Sequence, residues 1–81
     1  MDTNKTEKHM ERIFGKVALK QIEVDVLQLM ANEYNSKAIA HKLNVSVRVV
    51  TGVRERLFKK TNTINGIGLT IWGIKNNVIK I

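Results

Sequence analysis

Apolar residues recur along this chain at helical spacing in several blocks, with polar turns between them. Over Lys20 to Asn32, Ile22, Val26, Leu29 and Met30 form one stripe, led in by Leu19 and flanked by Leu27. Glu23 and Asp25 fall in the opening turns, where negative charge complements a helix N-terminus. Asn32 to Asn35 break the pattern as a polar turn. A second, short helix is expected over Lys37 to Leu43, with Ser36 as its N-cap and Ile39, Ala40 and Leu43 as its buried side. Asn44 suits a left-handed C-terminal position, Val45 turns into the core, and Ser46 caps a third helix that fades around Lys60. About three residues separate the second helix from the third, the tight connection of a helix-turn-helix.

The third helix carries most of the functional signal. Wound at about 100° per residue, it gathers Val49, Val50, Val53 and Leu57 into one arc and Arg48, Thr51, Gly52, Glu55 and Lys59 into the opposite one. Arg54 and Arg56 flank the apolar stripe. A helix with one apolar seam and one basic, small-residue face can lie in a DNA major groove while its back packs on a core.

Beyond a turn at Thr61 to Ile64, Asn65 can cap a fourth helix from Gly66 to Asn76, with Asn77 as its stop and Val78 to Ile81 as an apolar tail. Its three glycines, Gly66, Gly68 and Gly73, weaken it intrinsically, so packing must hold it. Ile67, Ile71, Ile74 and Val78 fit one stripe and are expected to face the first helix. Leu69 and Trp72 then remain partly exposed beside Gly68, Thr70 and Gly73, at a surface where a second copy can approach. Trp72 suits either core or interface; simple exposure of the one tryptophan would be costly. Ahead of the first helix, Met10, Ile13, Phe14 and Val17 have helical spacing, so a short helix over Glu7 to Phe14, ended by Gly15, is expected, either packed on the domain or extended as an arm. The reading is therefore all-α: a four-helix (tetrahelical) helix-turn-helix domain over residues 19–81, preceded by a short N-terminal extension, residues 1–18.

Charge sharpens this picture. The formal net charge is +7. Between Asn35 and Lys60 lie Lys37, Lys42, Arg48, Arg54, Arg56, Lys59 and Lys60 against a single acid, Glu55, so six of the seven net charges belong to this segment. Basic surplus concentrated on one supersecondary unit is the footprint of a polyanion binder; the bland alternative is a solvated face with no partner. There is no cysteine, which removes disulfides and thiolate metal sites and fits a reducing cytoplasm. His9 and His41 are far apart and have no carboxylates arranged with them, so neither a metal nor a cofactor is expected. No run of about 18 apolar residues is present, and the polar stretch from Met1 is not a secretory signal, so no membrane association is expected. Nucleophile–base pairs, paired carboxylates and phosphate loops are missing, which argues against an enzyme and against a small-molecule ligand.

These blocks resemble the C-terminal DNA-binding domain of LuxR/FixJ-type (GerE-like) bacterial transcriptional regulators. The family pattern runs roughly L-T-x-R-E-x-E-V-L-x-L-x-A, then S-N-K-E-I-A-x-x-L, then S-x-x-T-V-K-x-H-x-x-N-I-x-x-K. Here the first block spans Leu19 to Ala31, the second Asn35 to Leu43, and the third opens at Ser46 and keeps Val50, Leu57 and Lys60. The tail from Ile74 to Ile79 also looks like the end of such domains, and the likeness covers about residues 17 to 81 without gaps. Most matches are core or cap positions. The departures fall on chemistry: Lys20 stands where the family has its capping threonine, Ala38 replaces a glutamate, and Val49, Thr51 and Val53 replace threonine, lysine and histidine. The DNA contact implied by that lysine does not transfer to Thr51. Lys37 and Lys60 match basic positions, and Ser46 matches the cap whose backbone end faces phosphate. The resemblance also implies a fourth helix that pairs two copies.

The expected function is sequence-specific double-stranded DNA binding by a cytoplasmic transcriptional regulator, with the third helix in the major groove. Lys37 and Lys42 would lie on the backbone, and Arg54 and Arg56 would reach phosphates. Arg48 can be bidentate to guanine or grip phosphate; Glu55 can pair with Lys59 at i+4 or accept from cytosine; Gly52 can admit a base edge closely or be neutral drift. Together with Ser46, Thr51, Lys59 and Lys60, these form the candidate DNA-binding set, and Leu69 and Trp72 the candidate contact of a weak homodimer. Two alternatives stand beside this: a protein-interaction module that keeps the fold and docks on an acidic partner such as an RNA polymerase subunit, and a nonspecific nucleic-acid binder. Eighteen leading residues cannot form a receiver or sensor domain, and the Met1 start leans towards a stand-alone regulator.

Overall fold

In the computed structural model, which describes residues 11–80, the chain opens with a hairpin where a helix was expected. Strands β1 (Arg12–Phe14) and β2 (Val17–Leu19) pair antiparallel, with Arg12 opposite Leu19 and Phe14 opposite Val17. Gly15 makes the reversal at φ +62°, a left-handed conformation that suits glycine. A Cβ there would also stand 2.6 Å from the Asn76 side-chain oxygen. The apolar positions Ile13, Phe14 and Val17 span too few residues to fix a period, and the turn at Gly15 decides for the hairpin. Phe14 and Leu19 point into the core while Ile13 faces out. The portion of the expected helix before residue 11 lies outside the described residues.

Helix α1 (Gln21–Ala31) begins after Lys20, and its deepest line is Glu23, Val26 and Leu27, with Ile22, Leu29 and Met30 packed half-buried beside it. Its C-terminal turn closes through Glu33 at φ 70°, with the Tyr34 N–H donating to the Leu29 carbonyl. Helix α2 (Ser36–Leu43) starts one residue earlier than expected. Asn35, not Ser36, is its N-cap, and the Asn35 side chain accepts from the Ala38 N–H at 2.9 Å. Asn44 adopts the left-handed conformation, and Val45 packs against the core. Helix α3 (Val47–Thr61) is capped by Ser46, whose hydroxyl accepts from the Val49 N–H. Asn44, Val45 and Ser46 are thus the whole connection between α2 and α3, which lets the two helices pack tightly as a pair. Helix α4 (Gly66–Lys75) is capped by Asn65.

The core is one cluster. Leu19 of the hairpin, Val26 and Leu27 of α1, Ile39 of α2, Val50, Val53 and Leu57 of α3, and Leu69 of α4 are all fully buried. After α4, Ile79 folds back into this cluster, and the backbone of Lys80 makes two hydrogen bonds with the Gln28 side chain of α1.

The orientation of α4 corrects the expected stripe. Leu69 is fully buried, so it is not available as a dimer contact, whereas Ile67 is 75% exposed and Ile71 and Ile74 also face outward. Gly73 sets the register. It lies where α4 approaches α1 and the tail most closely: a Cβ there would be 3.0 Å from Ile79 Cγ1 and 3.2 Å from Leu27 Cδ2. The small residue therefore belongs to the inner face, and Leu69, one turn earlier, goes in with it. Trp72 is half-buried against the core.

Candidate nucleic-acid interface

Two layers of charge surround α3, and they do different things. The inner layer is built on Glu23, which sequence reasoning placed only as a favourable first-turn acid. Its carboxylate is fully buried and accepts from the Lys20 N–H at 2.8 Å and from Lys60 Nζ at 2.9 Å, with Arg56 Nε at 3.4 Å from its second oxygen. Lys60 also donates to the Ala18 carbonyl at 3.0 Å and lies 3.5 Å from Glu11. Burial alone would raise the Glu23 pKa, but the Lys20 backbone hydrogen bond, the Lys60 ammonium and Arg56 together hold it below the ordinary value. The ionised acid is thus a fixed anchor for the C-terminal part of α3. The signal available in sequence was the pairing of one acid in α1 with two bases at i and i+4 in α3, although no periodicity links positions 37 residues apart.

The outer layer faces solvent. Arg48, Thr51, Glu55 and Lys59 are exposed along α3, with half-buried Gly52 among them. Every salt bridge among the described residues involves Arg56 or Lys60, so Glu55 does not form the expected pair with Lys59. The helical wheel puts Val49 in the buried arc. It is 41% exposed, as is Val47 at 46%, because the core reaches α3 only from Val50 onward. Arg56 serves both layers: its Nε turns to Glu23, while its Nη1 lies 3.8 Å from where a Cβ on Gly52 would be.

The remaining candidate residues divide by position. Lys37 and Lys42 are exposed on α2, and Lys42 rests over the Tyr34 ring with its ammonium 4.6 Å from the centroid. Arg54 turns away from the outer face and lines a groove with Met30, Tyr34, Ile67 and Ile71. Arg48, Thr51, Gly52, Glu55, Lys59 and the outer edge of Arg56 thus share one face, with Ser46 at its head; Arg54 and Lys60 do not. Among the described residues no helix is long and apolar enough to cross a membrane.

Residues 17–72 match the family model described as bacterial regulatory proteins, luxR family, which is more than half of the chain and includes every α2 and α3 residue considered above. The chain belongs to the luxR family. This luxR-family domain is 38% identical over 64 residues to the probable transcriptional regulator ycf29 of Cyanophora paradoxa. The aligned region is 79% of this chain and 30% of that relative, so the chain spans about a third of the relative's length. Its fold is also similar to that of a LuxR-type receptor, the VqmA dimer of Vibrio cholerae in the absence of target DNA, with a TM-score of 0.74 and 20% identity. That match covers 99% of this chain and 38% of the other. The hairpin, α1, the helix-turn-helix pair and α4 are therefore a luxR-type DNA-binding fold.

Proposed function

We propose that this domain binds double-stranded DNA sequence-specifically, with α3 in the major groove and α2 across the backbone. The observation that carries this reading is the outer face of α3. Arg48, Thr51 and Lys59 stand on it without ion-pair or hydrogen-bond partners among the described residues, while the opposite side of the helix is sealed by Val50, Val53 and Leu57. Ser46 and the first turn of α3 point the positive end of the helix outward, where a phosphate can be held. Arg48 is the base reader, and Lys37, Lys42, Lys59 and the free edge of Arg56 supply backbone contacts. Lys60 and Arg54 drop out of the contact set in this reading, since one is committed to Glu23 and the other faces α4.

With about four phosphate contacts left, the slope of log K against log salt should be roughly −3 to −4 on random duplex. Arg48→Ala should keep its helicity and cost about 1 to 3 kcal/mol at one base position. An equal loss on all sequences would reassign Arg48 to phosphate. Absence of duplex binding even at the lowest salt would sink the reading and favour a protein-interaction module, with an acidic partner such as a polymerase subunit.

The exposed row Ile67, Ile71 and Ile74, with Trp72 at its edge, supports a weak two-fold contact through α4, which would set two copies of α3 on a pseudo-palindromic site. Sedimentation with a palindromic duplex should show two chains per duplex. Ile71→Asp should reduce this to one, and an unchanged stoichiometry would remove α4 from the contact.

A further inference from the structure

We propose that Val49 and Gly52 form a shallow apolar notch on α3 that receives the 5-methyl group of a thymine. The inference rests on the proposed entry of α3 into the major groove and specifies what that helix reads there.

Two features of the outer face have no explanation within the folded domain. The first is Val49, which is 41% exposed although Val50 and Val53 provide the buried contacts of this part of the helix. Its side chain has no donor or acceptor, so it cannot hold a phosphate or a polar base edge. The second is Gly52. A glycine inside a helix weakens it relative to alanine, and nothing in the fold requires it. A Cβ there would meet only Arg56 Nη1, at 3.8 Å, an ordinary contact distance.

The two positions are neighbours on the helix surface at i and i+3. The isopropyl group of Val49 therefore borders a gap where Gly52 has no side chain, and the Arg56 guanidinium forms its far edge. The same face carries Arg48 and Lys59, so its charge suits a polyanion, while the floor and near wall of the notch, Gly52 and Val49, offer no side-chain donor or acceptor. The major groove offers one apolar feature on its base edges, the thymine methyl group. Ser46 caps α3 three residues before Val49, which places the notch in the end of the helix that reaches base edges in helix-turn-helix complexes. Around it, hydrogen-bonding readout is confined to Arg48, Thr51 and Glu55, so the methyl contact would carry a substantial share of the base discrimination.

Deoxyuridine tests this cleanly, because it keeps the hydrogen-bonding edge of thymidine and lacks only the methyl group. The measurement takes the preferred duplex from a random-library selection and replaces its thymidines one at a time, with wild-type protein and with Gly52→Ala and Val49→Ala. Burying one methyl is worth about a fourfold change in affinity. The expected result is one such position per half-site for the wild type. Gly52→Ala, which fills the notch, should retain full helicity, bind the thymidine duplex more weakly and lose the distinction from deoxyuridine. Val49→Ala should narrow it. Intact binding with equal affinity for thymidine and deoxyuridine at every position would overturn the notch while leaving groove entry standing. A methyl effect undiminished in Gly52→Ala would also overturn it, since the methyl would then be read elsewhere. Failure to bind any duplex would overturn groove entry and the notch together.

Discussion

Helices α3 and α4 both present an apolar seam in sequence, yet the inner and outer sides of one were readable and those of the other were inverted. On α3, Arg48, Thr51, Glu55 and Lys59 mark the solvent side, so Val50, Val53 and Leu57 can only go inward. On α4 the choice lay between an isoleucine row (Ile67, Ile71, Ile74) and a face of Leu69, Trp72 and Gly73, with no charged residue before Lys75 to separate them. Apolar content says that a helix is packed, and polar contrast says which way it faces. Where contrast is lacking, closest approach decides, and Gly73 marks it.

The sharpest way to break this comparison is to place a carboxylate on each face of α4. Leu69→Asp should unfold the domain, because an unpaired acid in a sealed core is too costly. Ile71→Asp should stay folded, with a thermal midpoint close to that of the parent. Circular dichroism during a thermal ramp distinguishes the two, and the reverse pattern would restore the isoleucine row as the core face.

A second effect tests the anchor at the other end of α3. Glu23→Gln keeps the shape and removes the charge that holds Lys60 and Arg56, and should cost about 2 kcal/mol. The pH dependence has a definite sign. Because the folded-state pKa of Glu23 is depressed, its contribution is fully present above the unfolded value near 4.5 and is lost as pH falls through the lower folded value. The stability difference between wild type and Glu23→Gln should therefore shrink in acid below about pH 4.5. A difference independent of pH would mean that the carboxylate is not ionised in the fold.

Two of the helical glycines, Gly73 and Gly52, should give effects of opposite sign, the one at Gly52 being the smallest. Gly73→Ala pushes a methyl against Ile79 and Leu27 and should destabilise by about 1 to 3 kcal/mol. Gly52→Ala meets no crowding and should stabilise by about 0.5 to 1 kcal/mol. Chemical denaturation resolves both, and equal signs would mean that local spacing does not govern these positions.

Much of the fold was legible because caps and periods are local. Ser46, Asn44 and Asn65 each do what their side chains favour, and the short α2–α3 connection follows from them. Asn35 displaced Ser36 as a cap because both residues are competent and neighbouring. The hairpin was missed because three apolar residues over so short a span fit a helical spacing by chance, and what reverses the chain is the left-handed turn at Gly15. At the candidate interface, the outward positions Arg48, Thr51, Gly52, Glu55 and Lys59 were visible from the helical wheel. Their availability was not: Lys60 looks like its neighbours in sequence but is held by Glu23 across 37 residues. Val49 was misplaced because a wheel treats every turn alike, whereas the body of the domain lies beneath α3 only beyond its first turn.

The mooring of Lys60 has a mechanical consequence. Its ammonium reaches the Glu11 carboxylate ahead of the hairpin, the Ala18 carbonyl within it and the Glu23 carboxylate of α1, so one side chain ties the far end of α3 to three stretches of the chain. With Val50, Val53 and Leu57 sealed in the core and Lys60 moored beyond them, a pull on the first turn of α3 is passed to the body of the domain. Phosphates gripping the first turns of α3 would therefore orient the entire domain, α4 included, with little freedom left to lose on docking. In a two-copy complex, the spacing between half-sites would be set by this rigid frame, and loosening Lys60 would blur that spacing even though Lys60 itself need not touch DNA.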